Sequence, residues 1–79
     1  MIIVYAIHDI ASNQVYVGMT NNLDRRLSEH KRGQSFYTKN FKNFNLIYQE
    51  ECNDYASGRK REKYFKSGCG KEFLKNLIK

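Results

Sequence analysis

Five polar side chains stand where packing alone does not call for them: Tyr5, Tyr16, Arg26, His30 and Glu62. The two tyrosines lie in short β-like runs, at positions that put both phenols on one face of a hairpin. Arg26 and His30 are four residues apart, so on a helix their side chains share a face. Glu62 falls in a helical stretch on the stripe that also carries Tyr55, Arg59 and Phe65. A carboxylate between two aromatics on an inward stripe is costly unless it is paired or bound to a cation. Taken singly, each residue has an ordinary reading. A strand tyrosine usually packs, a lone helix histidine is seldom a catalyst, and Arg26 sits in a charged helix. Glu62 has Arg59 and Lys66 at ion-pairing distance along a helix, worth roughly 0.3–0.5 kcal/mol. The order and spacing of all five together carry the information.

The elements that must position them can be read from periodicity. Residues 2–8 (IIVYAIH) are β-branched and apolar on both alternating faces, which predicts a central strand covered on two sides. Residues 14–19 (QVYVGM) alternate Val15 and Val17 against Tyr16, a second strand. The turn residues DIASN predict a hairpin loop of about five or six residues. With its centre near Ile10 and Ala11, Tyr5 falls opposite Tyr16. A first helix is expected from near Asn22 to near Gly33, with Asn21 or Asn22 as cap, Asp24 in the first turn and Gly33 as stop. Residues 34–42 read as a loop, and Phe44–Glu50 as a third strand. A second helix should start at Asn53 or Asp54 and run to about Lys66. The SGCG at 67–70 should break the chain before a last short helix over about Glu72–Ile78. The expected fold is α+β, an α/β sandwich with a three-stranded antiparallel sheet, order ββαβαα, first strand central.

At 79 residues the chain is one expected domain, 1–79, with a thin core and little room for a deep pocket. No apolar run approaches the ~20 residues of a membrane span, and the N-terminus lacks a signal-peptide pattern. Cytoplasmic residence and reduced thiols at Cys52 and Cys69 are the expectation. The net charge is +6, and all fourteen Lys and Arg lie at or after position 25. A basic excess confined to later segments predicts a cationic face, with nucleic acid as partner rather than membrane. Arg25, Arg59, Lys60, Arg61, Lys63, Lys66 and Lys71 are the residues expected to track a phosphate backbone.

Tyr5 in IVYAI, VYVG at 15–18 and LDRRLSEH at 23–30 together resemble the GIY-YIG nuclease signature. The first triplet reads Ile3-Val4-Tyr5 and keeps only its tyrosine; the second is nearly intact as Tyr16-Val17-Gly18. The segment GRKREKYFKSGCGKEFLKNL is similar to the end of small stand-alone bacterial members, themselves similar to the GIY-YIG nuclease domain of the excision-repair endonuclease. The resemblance covers nearly the whole chain. It implies an endonuclease that hydrolyses nucleic-acid phosphodiester bonds, DNA first, with one Mg²⁺ or Mn²⁺ ion. The alternative is a nucleic-acid-binding module of the same fold with little or no catalysis. The implied roles are Tyr5 and Tyr16 as active-site phenols, Arg26 on the scissile phosphate, His30 at the position that holds His or Tyr, and Glu62 as sole protein ligand of the metal. Gly18 would allow close backbone approach. Two departures stand out: Met19 occupies the place of a lysine found in excision-repair relatives, and Asn76 is only a loosely spaced match to a family asparagine. The general base is Tyr16 or, alternatively, His30. A free phenol is only about one part in a thousand ionised at pH 7 but is favoured by nearby cations; imidazole titrates closer to neutrality. With no base-reading helix evident, weak sequence preference is expected, or specificity supplied by a protein partner.

Overall fold

The structure, a computed structural model, describes residues 1–35, 38–41 and 43–78. Its elements are β1 (Ile2–Asp9), β2 (Gln14–Thr20), α1 (Leu23–Lys31), β3 (Phe44–Cys52), α2 (Tyr55–Lys66) and α3 (Gly68–Ile78). The sheet is antiparallel in the order β2-β1-β3, so the most apolar strand is central, as its two-sided hydrophobicity requires. Part of the expected 34–42 loop, Phe36, Tyr37 and Lys42, lies outside the described residues.

Strand alternation divides the two faces. Val4 and Ala6 of β1 and Val17 of β2 point toward α2 and α3, where they form the core with Cys52, Phe65 and Leu74. Tyr5 points the other way, onto His30 of α1. The sheet is thus the middle layer, with α1 on one side and the α2–α3 pair on the other.

The hairpin register differs from expectation. Tyr5 pairs with Gly18, and Tyr16 pairs with Ile7. The loop is shorter, four residues from Ile10 to Asn13, and its centre lies later in the chain. Local hydrogen bonding explains this. The Asp9 carboxylate accepts from the Ser12 backbone N–H (3.0 Å) and hydroxyl (2.7 Å), and the Asn13 N–H donates to the Asp9 carbonyl. Asn13 closes the turn at φ 60°, a region Asn tolerates well. The slip is an even number of residues, so both phenols keep their common face.

β3 continues to Cys52, beyond the expected Glu50. α1 and α2 are capped by Asn22 and Asp54, whose side chains accept from the Arg25 and Ser57 N–H groups. α3 begins at Gly68, a turn earlier than expected. On propensity alone, the glycines of SGCG read as a break. Here Gly70 is a contact residue: a Cβ on it would overlap the Tyr64 carbonyl oxygen and Phe65 Cα. Its missing side chain lets α3 start at once and fold back tightly on α2.

Candidate active site

The Tyr5 face holds a compact polar cluster. Tyr5 is 1 % exposed, and its hydroxyl lies 2.7 Å from His30 Nε2. The other ring nitrogen, Nδ1, lies 2.5 Å from Thr38 Oγ1, and both His30 and Thr38 are wholly buried. The Tyr16 ring packs edge-on against His30 with centroids 5.2 Å apart, and 6.3 Å from the Tyr5 ring. The two phenols are therefore diagonal neighbours, not directly opposed. Gly18, directly across from Tyr5, makes the diagonal possible. A Cβ there would come 2.8 Å from the Tyr5 hydroxyl oxygen and 2.9 Å from the Tyr16 ring.

Arg26 leans over the cluster from α1. Its Nη1 donates to Glu29 Oε1 at 2.8 Å, and the guanidinium also faces both phenol oxygens. One turn of helix sets this geometry, since i and i+3 share a face. The fork has five donors, so the Glu29 bond leaves others for a phosphate. Glu29 holds the Arg26 pKa above its usual value; in return the guanidinium keeps the Glu29 carboxyl below the usual carboxylate range.

Burial governs the other two titrations. Removal from water, with the nearby Tyr16 phenol adding to it, pushes the Tyr5 hydroxyl up to about 12 against the pull of Arg26. Burial, and then the Arg26 charge, pushes His30 down to about 4. At neutral pH, His30 is neutral and Tyr5 is a phenol. His30 has both nitrogens occupied and no exposed surface, so it cannot take a proton from a water outside the cluster. Tyr16, only partly buried, is the phenol within reach of solvent.

Tyr5, Tyr16, Arg26 and His30 therefore come together. Glu62 sits in the other helix layer, on α2. That helix packs across all three strands and sets Gly58 against Ile2 and Met19. The Glu62 side chain is only 18 % exposed, and its carboxylate pairs with Lys66 at 3.5 Å. The expected stripe is corrected in one place: Tyr55 is 59 % exposed, and the buried positions of α2 are Gly58 and Phe65. Met19 faces α2, which accounts for an apolar residue there. Asn76 is exposed on α3.

The basic residues separate into groups. Lys66 and Lys71, with Lys75, rim a groove of about 890 Å³ whose apolar floor includes Val15, Val17, Phe65 and Leu74 and which reaches Tyr16. Arg59, Lys60 and Lys63 lie along α2. Arg25 bonds Asn21 Oδ1 at 3.4 Å and lies 3.8 Å from Glu29. Arg61 is otherwise committed. It grips Glu50 of β3 through Nε (2.7 Å) and Nη2 (3.1 Å), while its guanidinium lies over the Phe65 and Tyr64 rings. Three residues of the site or its rim were not singled out in the sequence. Glu29 was legible, being three residues from Arg26 on one helix face. Lys75 is one turn beyond Lys71. Thr38 is a loop residue with no periodicity to flag it.

Among the described residues no three His, Cys, Asp or Glu side chains gather as a preformed metal cage. A lone carboxylate still suits Mg²⁺, which keeps several waters and takes phosphate oxygens as ligands. Both cysteines are free thiols, Cys52 buried and Cys69 exposed. No helix is long and apolar enough to cross a membrane among the described residues.

Comparison with known proteins gives the family and the fold. The GIY-YIG catalytic-domain model covers residues 1–76. A UPF0213 protein of Desulfotalea psychrophila is 35% identical over 54 residues, 66% of this chain and 49% of its own length. A UPF0213 protein of Autographa californica nuclear polyhedrosis virus is 33% identical over 70 residues, 86% of this chain and 67% of its own. This chain thus spans about half the length of the first relative and two thirds of the second. The solution NMR structure of a UPF0213 protein from Bacillus halodurans superposes with a TM-score of 0.57 at 27% identity, covering 98% of this chain and 85% of that one. Matched by that family model over nearly its whole length, the chain belongs to the GIY-YIG family of catalytic domains, a family of nucleases.

Proposed function

We propose that the protein is a divalent-metal-dependent endonuclease that hydrolyses phosphodiester bonds in nucleic acid, DNA first, with little sequence preference of its own. One observation carries this reading: the Arg26 guanidinium, tethered by Glu29, faces the oxygens of two phenols gathered on one sheet face. A planar guanidinium fork is matched to phosphate oxygens in a way lysine would not reproduce.

In this reading Arg26 binds the scissile phosphate and offsets charge that develops on its oxygens. Tyr16, in its phenolate form, orients the attacking water and accepts its proton, becoming a phenol. Tyr5 and His30 are buried, so they hold Arg26 and the Tyr16 ring in place rather than meet the water. Glu62, a largely buried carboxylate on α2 paired with Lys66, would hold the metal ion. When bound, the ion supplies Lewis-acid stabilisation of the phosphate and of the departing oxygen. Lys66, Lys71 and Lys75 lead the strand toward Tyr16, with Arg25, Arg59, Lys60 and Lys63 adding long-range attraction. Arg61 is left out because Glu50 and two aromatic rings already engage it.

Magnesium-dependent nicking of supercoiled plasmid tests the proposal. Wild type should convert circles to nicked and linear forms, and EDTA should stop it. Glu62→Gln should lose the activity while still binding DNA. DNA binding by a wild type that nicks under no metal condition would favour the binding-module alternative.

A further inference from the structure

Among the described residues, the Tyr5 hydroxyl has two hydrogen-bonding partners of different character. The Arg26 guanidinium can only donate, whereas His30 Nε2 at 2.7 Å can donate or accept. An O–H beside a donor-only cation turns toward the remaining acceptor, so Tyr5 donates to Nε2 and leaves its oxygen to Arg26. Nε2 then carries no proton, and a neutral imidazole must carry it on Nδ1. That nitrogen faces Thr38 Oγ1 at 2.5 Å. Thr38 is held on both sides: its N–H donates to the Ser35 carbonyl at 3.2 Å, and its carbonyl accepts from the Phe41 N–H at 2.8 Å.

We propose that Thr38 is a positioning residue: its Oγ1 accepts the Nδ1–H that Arg26 and Tyr5 impose on His30, and so anchors the imidazole at the end of the chain Arg26→Tyr5→His30→Thr38. The opposite tautomer would aim Nε2–H at Tyr5 and turn the phenol hydrogen toward the guanidinium. Two positively polarised groups would then face each other, and Arg26 would lose its aim. Only the catalytic consequence rests on the nuclease reading; the tautomer does not.

Long-range ¹H–¹⁵N NMR of the full chain reports which imidazole nitrogen is protonated, and a His8→Gln variant assigns the two histidines. At pH 7, wild type and Thr38→Ser should show Nδ1–H at His30. Thr38→Val, which keeps the shape and loses the acceptor, should leave Nδ1–H without a partner and move its proton resonance upfield. In nicking assays Thr38→Val should lose about tenfold or more in kcat/KM, mostly through KM, and Thr38→Ser should restore it. If Thr38→Val does not fold, Thr38→Cys, a weaker acceptor, should show a smaller upfield move of the same resonance. A wild type protonated on Nε2, or an Nδ1–H unchanged in Thr38→Val or Thr38→Cys, overturns the proposal. The predicted tautomers in a chain that cuts nothing would support the positioning role and remove only the nuclease reading.

Discussion

Proton positions within the cluster separate the two candidate bases. His30 is sealed on both nitrogens and titrates near 4, so its protonation cannot modulate a rate measured between pH 6 and 9. A phenol base gives a rate that continues to climb above pH 7. The log rate of wild type should rise with pH over this range. Tyr16→Phe should flatten that rise and cut kcat by about 10²–10⁴; near-full activity in Tyr16→Phe would remove the phenol from the role. Gly18 offers a second test at this scale. Gly18→Ala places a methyl 2.8–2.9 Å from the Tyr5 oxygen and the Tyr16 ring. Activity should fall at least about tenfold, because displacing reacting groups by a fraction of an ångström is costly. A Gly18→Ala protein with wild-type kcat would show that the phenols do not need this spacing.

Contacts between elements hold the α2–α3 layer to the sheet. Arg61 ties α2 to β3 through a forked ion pair with Glu50, which also accepts from the Tyr48 hydroxyl at 2.6 Å. Arg61→Ala should lower unfolding free energy by about 1–2 kcal/mol, since the pair is charge-assisted but partly exposed. Equal denaturant midpoints for variant and wild type would contradict that. Much of this level was legible in the sequence. Two-sided hydrophobicity marked β1 as central, and Asn22 and Asp54 marked the helix starts. The register was not legible, because it depends on Asp9 closing the hairpin with its own carboxylate. Nor was the start of α3, because helix propensity at SGCG says nothing of Gly70 lying against the Tyr64 carbonyl. The Tyr–Tyr–Arg–His part of the site was readable from spacing on single elements. Thr38 became visible only when a loop folded over His30.

For the molecule as a whole, buried neutral His30 links stability to pH. Its pKa is about 4 when folded and about 6.5 when exposed, so between these values the unfolded chain binds more protons. The stability this burial confers is fully present above about pH 6.5 and is lost as pH falls toward 4. Denaturant midpoints should decline across that window, and His30→Gln should flatten the decline. Charge acts at the same scale. If Arg26, Lys66, Lys71 and Lys75 meet four phosphates of a duplex, log affinity should fall with log salt at a slope of roughly −3.6, and each lysine removed should lessen it by about 0.9. The most direct test of the metal-bound carboxylate is plasmid nicking by Glu62→Gln beside wild type over a magnesium titration. Wild type should cut in a magnesium-dependent way and the variant at no magnesium concentration, with DNA affinity retained. Equal cutting by both proteins would contradict this, because the carboxylate on α2 would then have no part in the chemistry.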